Sequence, residues 1–138
     1  MTNEQISLVQ TSWLKLQPAA DTIAGIFYAK LFELDPTLRP LFKGDIGIQG
    51  RKLVAMLATV IDKLAKLDTL MRDIESLGRL HVHYGVKDEH YDTVGMALLA
   101  TLQAALGDEG FPPATRAAWA TAYTTLAGVM KVAAAPRG

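Results

Sequence analysis

Apolar residues recur every three or four positions along nearly the whole chain, and this spacing constrains the fold more than any other feature. In the first segment it joins Ile6, Val9, Trp13 and Leu16, which places all four on one face of a helix. No alternating strand pattern and no Asn-Gly or Asp-Gly hairpin turn interrupts it. The sequence therefore predicts an all-α protein.

Proline, glycine and capping residues divide this pattern into six or seven helices. Thr2 with Gln5 has the form of a capping box, and Pro18 closes the first helix. Residues 37–42 leave room for about one turn, and residues 43–50, with three glycines, read as a loop. One further helix is expected from Asp21 to Asp35-Pro36, and another over about 49–66. Two more are expected from a cap at Asp68 through His81 and from a cap at Asp88 to Gly107. The last is expected from Pro113 to the alanines before Pro136. We expect one domain over residues 1–138, with helices too uneven for a simple four-helix bundle.

Composition excludes several classes of function. Fourteen Lys and Arg balance fourteen Asp and Glu, so the basic surplus needed to bind nucleic acid or anionic lipid is missing. The absence of cysteine removes disulfides, thiolate nucleophiles, iron–sulfur clusters and Cys-ligated zinc. No apolar run approaches the roughly 18 residues of a membrane span, and the N-terminus has no signal-peptide pattern. A cytoplasmic protein without membrane or nucleic-acid partners is expected.

His81 is the most informative of the three histidines. Leu70, Ile74, Leu77 and His81 follow in steps of four, three and four, which places the imidazole on the inward face of its helix. Gly78 would leave room there for a bulky group, whereas His83, about 200° further round the helix, should point elsewhere. On the residues alone, a hydrogen-bonded core histidine is the commoner explanation of such a side chain.

Other catalytic centres lack their motifs. The chain has no His-Glu-x-x-His, no Glu-x-x-His pair, no Gly-x-Ser-x-Gly elbow and no glycine loop ending in Gly-Lys-Ser/Thr. Among the centres considered, this leaves a cofactor that needs one protein ligand and an apolar slot. Haem fits this description because its porphyrin supplies four nitrogens. Tyr28 and Gln49 are polar residues within apolar segments, and a bound ligand can provide the partner that a buried polar group needs.

An ordered series of fragments carries a resemblance to a known family. It comprises Trp13, FYAKLF at 27–32, Asp35-Pro36, RPLF at 39–42, RKL at 51–53, LGRLHVHYGV at 77–86, HYDTVG at 90–95 and AAW-ATAY at 117–123. In this order and spacing the chain resembles the globins, over about residues 4–132. It is similar to single-domain bacterial haemoglobins, to the globin half of flavohaemoglobins and, around residues 77–86, to neuroglobin. The resemblance implies the globin fold, a three-over-three helical sandwich around a pocket for haem b.

The resemblance also implies the residues that serve the haem iron and its gas ligand. His81 falls at the proximal metal ligand, Tyr28 at the distal tyrosine and Gln49 at the distal polar position. The other implied cofactor-binding residues are Phe42 against the porphyrin, Leu53 over the iron, Lys52 near a propionate, and Val86, Tyr91, Val94, Leu98 and Met130 along the pocket.

Reversible O2 binding follows as the expected function, with CO and NO as further ligands. Two departures from the family pattern matter: Gln49 replaces the distal histidine of many relatives, and Ala134 stands where bacterial relatives have a glutamate that polarises the proximal histidine. Without that carboxylate, peroxidase-like activity is doubtful. NO dioxygenase activity with a separate flavin reductase, and haem-based redox or gas sensing, stay open as alternatives. Because the chain stops at Gly138, we expect no fused reductase domain.

Overall fold

Six α-helices and three short 3-10 segments account for most of the chain. The computed structural model describes residues 1–42 and 44–134, apart from the side chain of His83. The helices are α1 (Asn3–Leu16), α2 (Ala20–Leu34), α3 (Ile46–Asp62), α4 (Met71–His83), α5 (Asp88–Gly110) and α6 (Pro113–Ala134). The 3-10 segments are Gln17–Ala19, Pro36–Leu41 and Leu64–Leu70. The described ranges contain no strand, so the predicted all-α class is confirmed. None of their helices is long and apolar enough to cross a membrane.

The first helix begins as its sequence predicts. The Gln5 N–H donates to Thr2 Oγ1 over 3.1 Å, and the Thr2 N–H donates to Gln5 Oε1 over 3.0 Å. These two bonds satisfy amide groups that a helix start otherwise leaves open. The capping box is therefore confirmed.

The third helix occupies part of the stretch expected to be a loop. The Asp45 carboxylate accepts hydrogen bonds from the Gly47 N–H over 2.6 Å and the Ile48 N–H over 3.3 Å. This N-cap starts α3 at Ile46 although two glycines follow, because capping offsets their weak helix propensity. The predicted range of 49–66 was wrong at both ends, since α3 ends at Asp62.

The expected caps at Asp68 and Asp88 were both wrong. Asp68 lies inside the 3-10 segment before α4, which Lys66 interrupts with φ −134° and ψ 45°, and α4 begins at Met71 without a side-chain cap. Asp88 is the first residue of α5 instead, and the Lys87 N–H donates to His90 Nδ1 over 3.0 Å. Gly107 does break α5 as predicted, with φ +71°. The direction of His83 and the position of Pro136 lie outside the described residues.

Two glycines let helices cross at short distance. A Cβ atom on Gly78 would lie 2.5 Å from the Met130 carbonyl oxygen, and one on Gly50 would lie 3.0 Å from Ala24 Cβ. Gly78 thus brings α4 against α6, and Gly50 brings α3 against α2. The expectation that Gly78 leaves room for a bulky group was wrong, because the backbone of α6 fills that space.

Side-chain hydrogen bonds connect α1 to the rest of the fold. Trp119 Nε1 on α6 donates to Ser12 Oγ over 2.8 Å, and Gln10 Nε2 donates to the Ile61 carbonyl of α3 over 3.0 Å. The main packing partners are α4 with α6, α2 with α5, α1 with α6 and α2 with α3. This arrangement leaves α4 on one side of the site and α2 with α3 on the other.

Candidate functional site

The buried apolar side chains form two clusters, and the apolar and aromatic residues predicted for the site are divided between them. The larger cluster contains Tyr28 and Leu98, and the half-buried Phe42, Leu53 and Val94 pack against it. The smaller cluster is Ile74, Tyr91, Ala127 and Met130, with the half-buried Val86 against it. We call these the distal and the proximal cluster.

His81 lies on the inward face of α4, as its spacing predicts. Ile74 on that face is 4% exposed, whereas Leu77 and His81 are half-buried. His81 Nδ1 lies 2.7 Å from the Leu77 carbonyl oxygen. Since a carbonyl only accepts, Nδ1 must carry the proton, and in the neutral ring Nε2 then has a free lone pair.

Burial sets the protonation state of this imidazole. It lowers the pKa of His81, and the hydrogen bond to the Leu77 carbonyl offsets only part of that shift. A lowered pKa favours the neutral ring near pH 7. A neutral imidazole with Nδ1–H committed to a carbonyl is the form in which histidine ligates a metal through Nε2.

Tyr91 lies beside His81 within the proximal cluster. The two rings are nearly parallel, at 24°, with centroids 6.3 Å apart, and Lys131 Nζ lies 5.6 Å from the Tyr91 centroid. Tyr123 Oη donates to the Tyr91 carbonyl over 2.6 Å. The Tyr91 hydroxyl is buried without a hydrogen-bond partner among the described residues. Burial, followed by the charge of Asp88, raises its pKa.

The Tyr28 ring is held by aromatic contacts in the distal cluster. Its centroid lies 5.3 Å from that of Phe27, 6.0 Å from that of Phe32 and 5.4 Å from that of Phe42. Tyr28 is 5% exposed, and burial raises the pKa of its hydroxyl. Phe32 was not predicted as a site residue, although it follows Tyr28 by four residues, the spacing that places two side chains side by side on a helix.

The crossing at Gly50 brings α3 against Tyr28. A Cβ atom on Gly50 would lie 3.6 Å from Tyr28 Cε2. Gln49 and Leu53, on the neighbouring turns of α3, are both half-buried. Lys52 is exposed, and the structure does not bring it into either cluster.

The turn after α4 connects the two sides of the site. Gly85 has φ +86°, and a Cβ atom there would lie 3.3 Å from Leu41 Cδ2, next to Phe42 in the chain. The Val86 N–H donates to the His81 carbonyl over 3.0 Å. Through this turn the chain leaves His81, touches the 3-10 segment that precedes Phe42 and brings Val86 to the proximal cluster.

Comparisons with known proteins agree with this geometry. The chain is similar to a plant protein named anaerobic nitrite reductase NSHB5 from Oryza sativa subsp. indica, with 29% identity over 92% of this chain and 91% of that protein. It is similar to anaerobic nitrite reductase HBII from Casuarina glauca, with 28% identity over 98% of this chain and 93% of that protein. The solved structure of a bacterial globin from Campylobacter jejuni matches with a TM-score of 0.83 and 26% identity, over 96% of both chains.

The similarity of the fold and a family model lead to the same assignment. The match to the Campylobacter jejuni globin confirms the predicted globin fold. The family model described as Globin matches residues 26–130, which include every predicted site residue. This chain belongs to the globin family, whose fold implies a haem cofactor.

Proposed function

We propose that this chain would hold haem between the distal and proximal clusters, with His81 Nε2 as the protein ligand of the iron, and would bind O2 reversibly on the side of Tyr28. The observation that carries the proposal is the 2.7 Å bond between His81 Nδ1 and the Leu77 carbonyl. It holds a half-buried imidazole in the tautomer whose other nitrogen is available to a metal.

The residues present fit a haem group. A haem would need one imidazole from the protein and apolar walls, because the porphyrin supplies the other four nitrogens. The side chains of both clusters are apolar or aromatic, and Tyr91 of the proximal cluster lies beside the imidazole, with ring centroids 6.3 Å apart. The proposed walls are Phe42, Leu53, Val94 and Leu98 on the distal cluster and Val86, Tyr91 and Met130 on the proximal cluster. We propose that the exposed Lys52 meets a propionate at the rim.

Tyr28 is the proposed donor to the gas ligand. When bound, ferrous haem supplies the iron that takes O2 or CO. The Tyr28 hydroxyl would donate a hydrogen bond to O2, which gains partial negative charge on binding, and would stabilise the nearly apolar CO less. The Gln49 amide, directly before Gly50 on α3, is the proposed second donor.

The proximal side favours reversible binding over peroxide chemistry. The acceptor for His81 Nδ1 is a neutral carbonyl, and Ala134, at the end of α6, cannot supply a carboxylate. A neutral acceptor gives the imidazole less anionic character than a carboxylate would. This supports a gas-binding role more than a peroxidase role.

Nitrite reduction is a second candidate, favoured by the two plant relatives that carry the name anaerobic nitrite reductase. Conversion of one nitrite to NO and water takes one electron from ferrous haem and two protons. Both protons would come from solvent, and the Tyr28 hydroxyl, whose pKa burial raises, is proposed to donate a hydrogen bond to nitrite at the distal side. NO dioxygenase activity would use the same donors, and it would consume O2 and NO to give nitrate with electrons from a separate flavin reductase.

Absorption spectra of the purified chain loaded with haem test these proposals. We expect a reduced spectrum that shifts with O2 and, separately, with CO, and that returns when O2 is removed. Rapid oxidation by nitrite with stoichiometric NO release would favour the second candidate. Sustained NO consumption only with a flavoprotein reductase and O2 would favour the third. A chain that takes up no haem would contradict all three.

A further inference from the structure

A groove outside the candidate site is bordered by α2, α5 and the start of α6. Its volume is about 560 Å³, within the roughly 300–1,000 Å³ of small-molecule sites. None of its lining residues belongs to the candidate haem site. They are Lys30, Leu34, Met96, Leu99, Ala100, Gln103, Ala104 and Arg116.

The lining is mostly apolar, and two large side chains in it are open to solvent. Leu34 is 47% exposed and Met96 is 60% exposed. Ala100 and Ala104, one turn apart on α5, add little side-chain bulk between them. Covering these side chains with the hydrocarbon chain of a ligand would remove apolar surface from water, which is favourable.

Both charged side chains of the lining are cations. Lys30 comes from α2 and Arg116 from α6, and neither forms an ion pair with a carboxylate in the described part of the chain. The polar Gln103 already donates to Asp108 Oδ1 over 2.7 Å. The groove therefore offers an apolar surface with two cations and no acidic lining residue.

We propose that this groove binds an amphiphilic anion, an alkyl carboxylate whose chain lies on the apolar lining and whose head group pairs with Lys30 and Arg116. Arginine and lysine differ in geometry but both attract carboxylate, and the lysine stem can cover part of an apolar chain. A second copy of the same groove fits less well, because a two-fold contact would bring the four cations of two copies together.

Calorimetric titration of the haem-loaded chain with dodecanoate, below its micelle concentration, tests the proposal. We expect saturable binding of one molecule per chain, weaker at high salt, and much weaker binding of the neutral dodecanol. Lys30→Glu and Arg116→Glu should each weaken dodecanoate binding about fivefold, the scale of an exposed ion pair. Ala104→Trp should block the groove. Arg72→Glu, an exposed cation on α4, is the matched control and should bind as the unaltered chain does.

Several outcomes would overturn the proposal. Absence of saturable binding would do so, and so would equal affinity for dodecanol and dodecanoate. Binding that none of the three groove variants weakens would place the ligand elsewhere. If Ala104→Trp instead abolished self-association seen in sedimentation, the occupant would be a second copy of the chain.

Discussion

The two polar side chains central to the candidate site, His81 and Tyr28, are held in opposite ways. The His81 ring is oriented by a hydrogen bond to the Leu77 carbonyl. The Tyr28 ring is held by three phenylalanines, and its hydroxyl forms no hydrogen bond with the described residues. Packing alone can thus position a ring while its polar group stays available to a ligand. An imidazole that is to bind a metal needs a fixed tautomer as well.

Loss of the His81 imidazole should have the largest effect. His81→Ala removes the proposed iron ligand, and we expect haem affinity to fall by more than about 100-fold, beyond the range typical of outer-shell changes. Haem titration followed by absorption measures this. His90→Ala is the matched control, because His90 Nδ1 only accepts a hydrogen bond from the Lys87 N–H at the start of α5. Equal haem affinity in both variants would show that the proximal assignment is wrong.

Removal of the Tyr28 hydroxyl tests its proposed role as the distal hydrogen-bond donor. A hydrogen bond to a charged or strongly polarised partner contributes about 1.5–3 kcal/mol, so Tyr28→Phe should speed O2 release roughly 10- to 150-fold. CO release should change far less. Flash photolysis or stopped-flow measures both rates. Tyr84→Phe removes a hydroxyl from a tyrosine that is 53% exposed and should leave O2 release unchanged; a change of equal size there would refute the pocket assignment.

Alanine substitutions at Gly78 and Gly50 compare how well the two close helix crossings tolerate an added methyl group. Gly78→Ala meets the Met130 backbone at 2.5 Å, and because backbone cannot move aside easily, we expect a loss of about 1–3 kcal/mol in unfolding free energy. Gly50→Ala meets the Ala24 side chain at 3.0 Å and should cost less. Gly25→Ala meets nothing within 4 Å and should stabilise α2 by about 1 kcal/mol. Urea unfolding ranks the three, and a larger loss at Gly50 than at Gly78 would reverse the comparison.

Substitution of Tyr123 should give the smallest effect, a loss of unfolding free energy that depends on pH. Burial raises the pKa of Tyr123, with the charges of Tyr91 and Asp92 as lesser causes. Its hydroxyl stays protonated in the folded chain when the unfolded chain begins to lose the proton near pH 10. The stability it contributes is therefore complete below about pH 10 and decreases as pH rises further.

Tyr123→Phe should reveal this titration. The variant loses the bond to the Tyr91 carbonyl, which contributes about 1 kcal/mol at neutral pH. The stability difference from the unaltered chain should shrink above about pH 10. Urea unfolding between pH 7 and pH 11 measures it. A constant difference across this range would mean that Tyr123 does not titrate as its burial predicts.

Local signals in the sequence were sufficient for the helical class, and they failed where tertiary contacts decide. The Thr2 capping box and the break at Gly107 depend on neighbouring residues, and both were predicted correctly. Asp45 was missed as a cap because the glycines around it suggested a loop. Asp68 was predicted to cap α4, but it lies inside the 3-10 segment and α4 begins at Met71 without a side-chain cap. The single-domain interpretation of the chain stays a prediction.

For the candidate site, too, local spacing was predictive, and contacts between distant residues were missed. The four- and three-residue steps placed His81 on the inward face of α4, as the structure has it. The partner of Gly78 could not be read from the sequence, because it is the backbone of α6, 52 positions later in the chain. The roles of His81, Tyr28 and Gln49 stay predictions until the variants are measured.

Gly85 lies where the loop after α4 meets the segment that precedes Phe42. Its left-handed backbone lets the segment that leaves the imidazole lie against Leu41, so the loops from the two sides share one contact. Any larger residue at Gly85 would strain that backbone, and its Cβ atom would crowd Leu41 Cδ2 at 3.3 Å. The close approach of these two loops thus depends on the absence of one side chain.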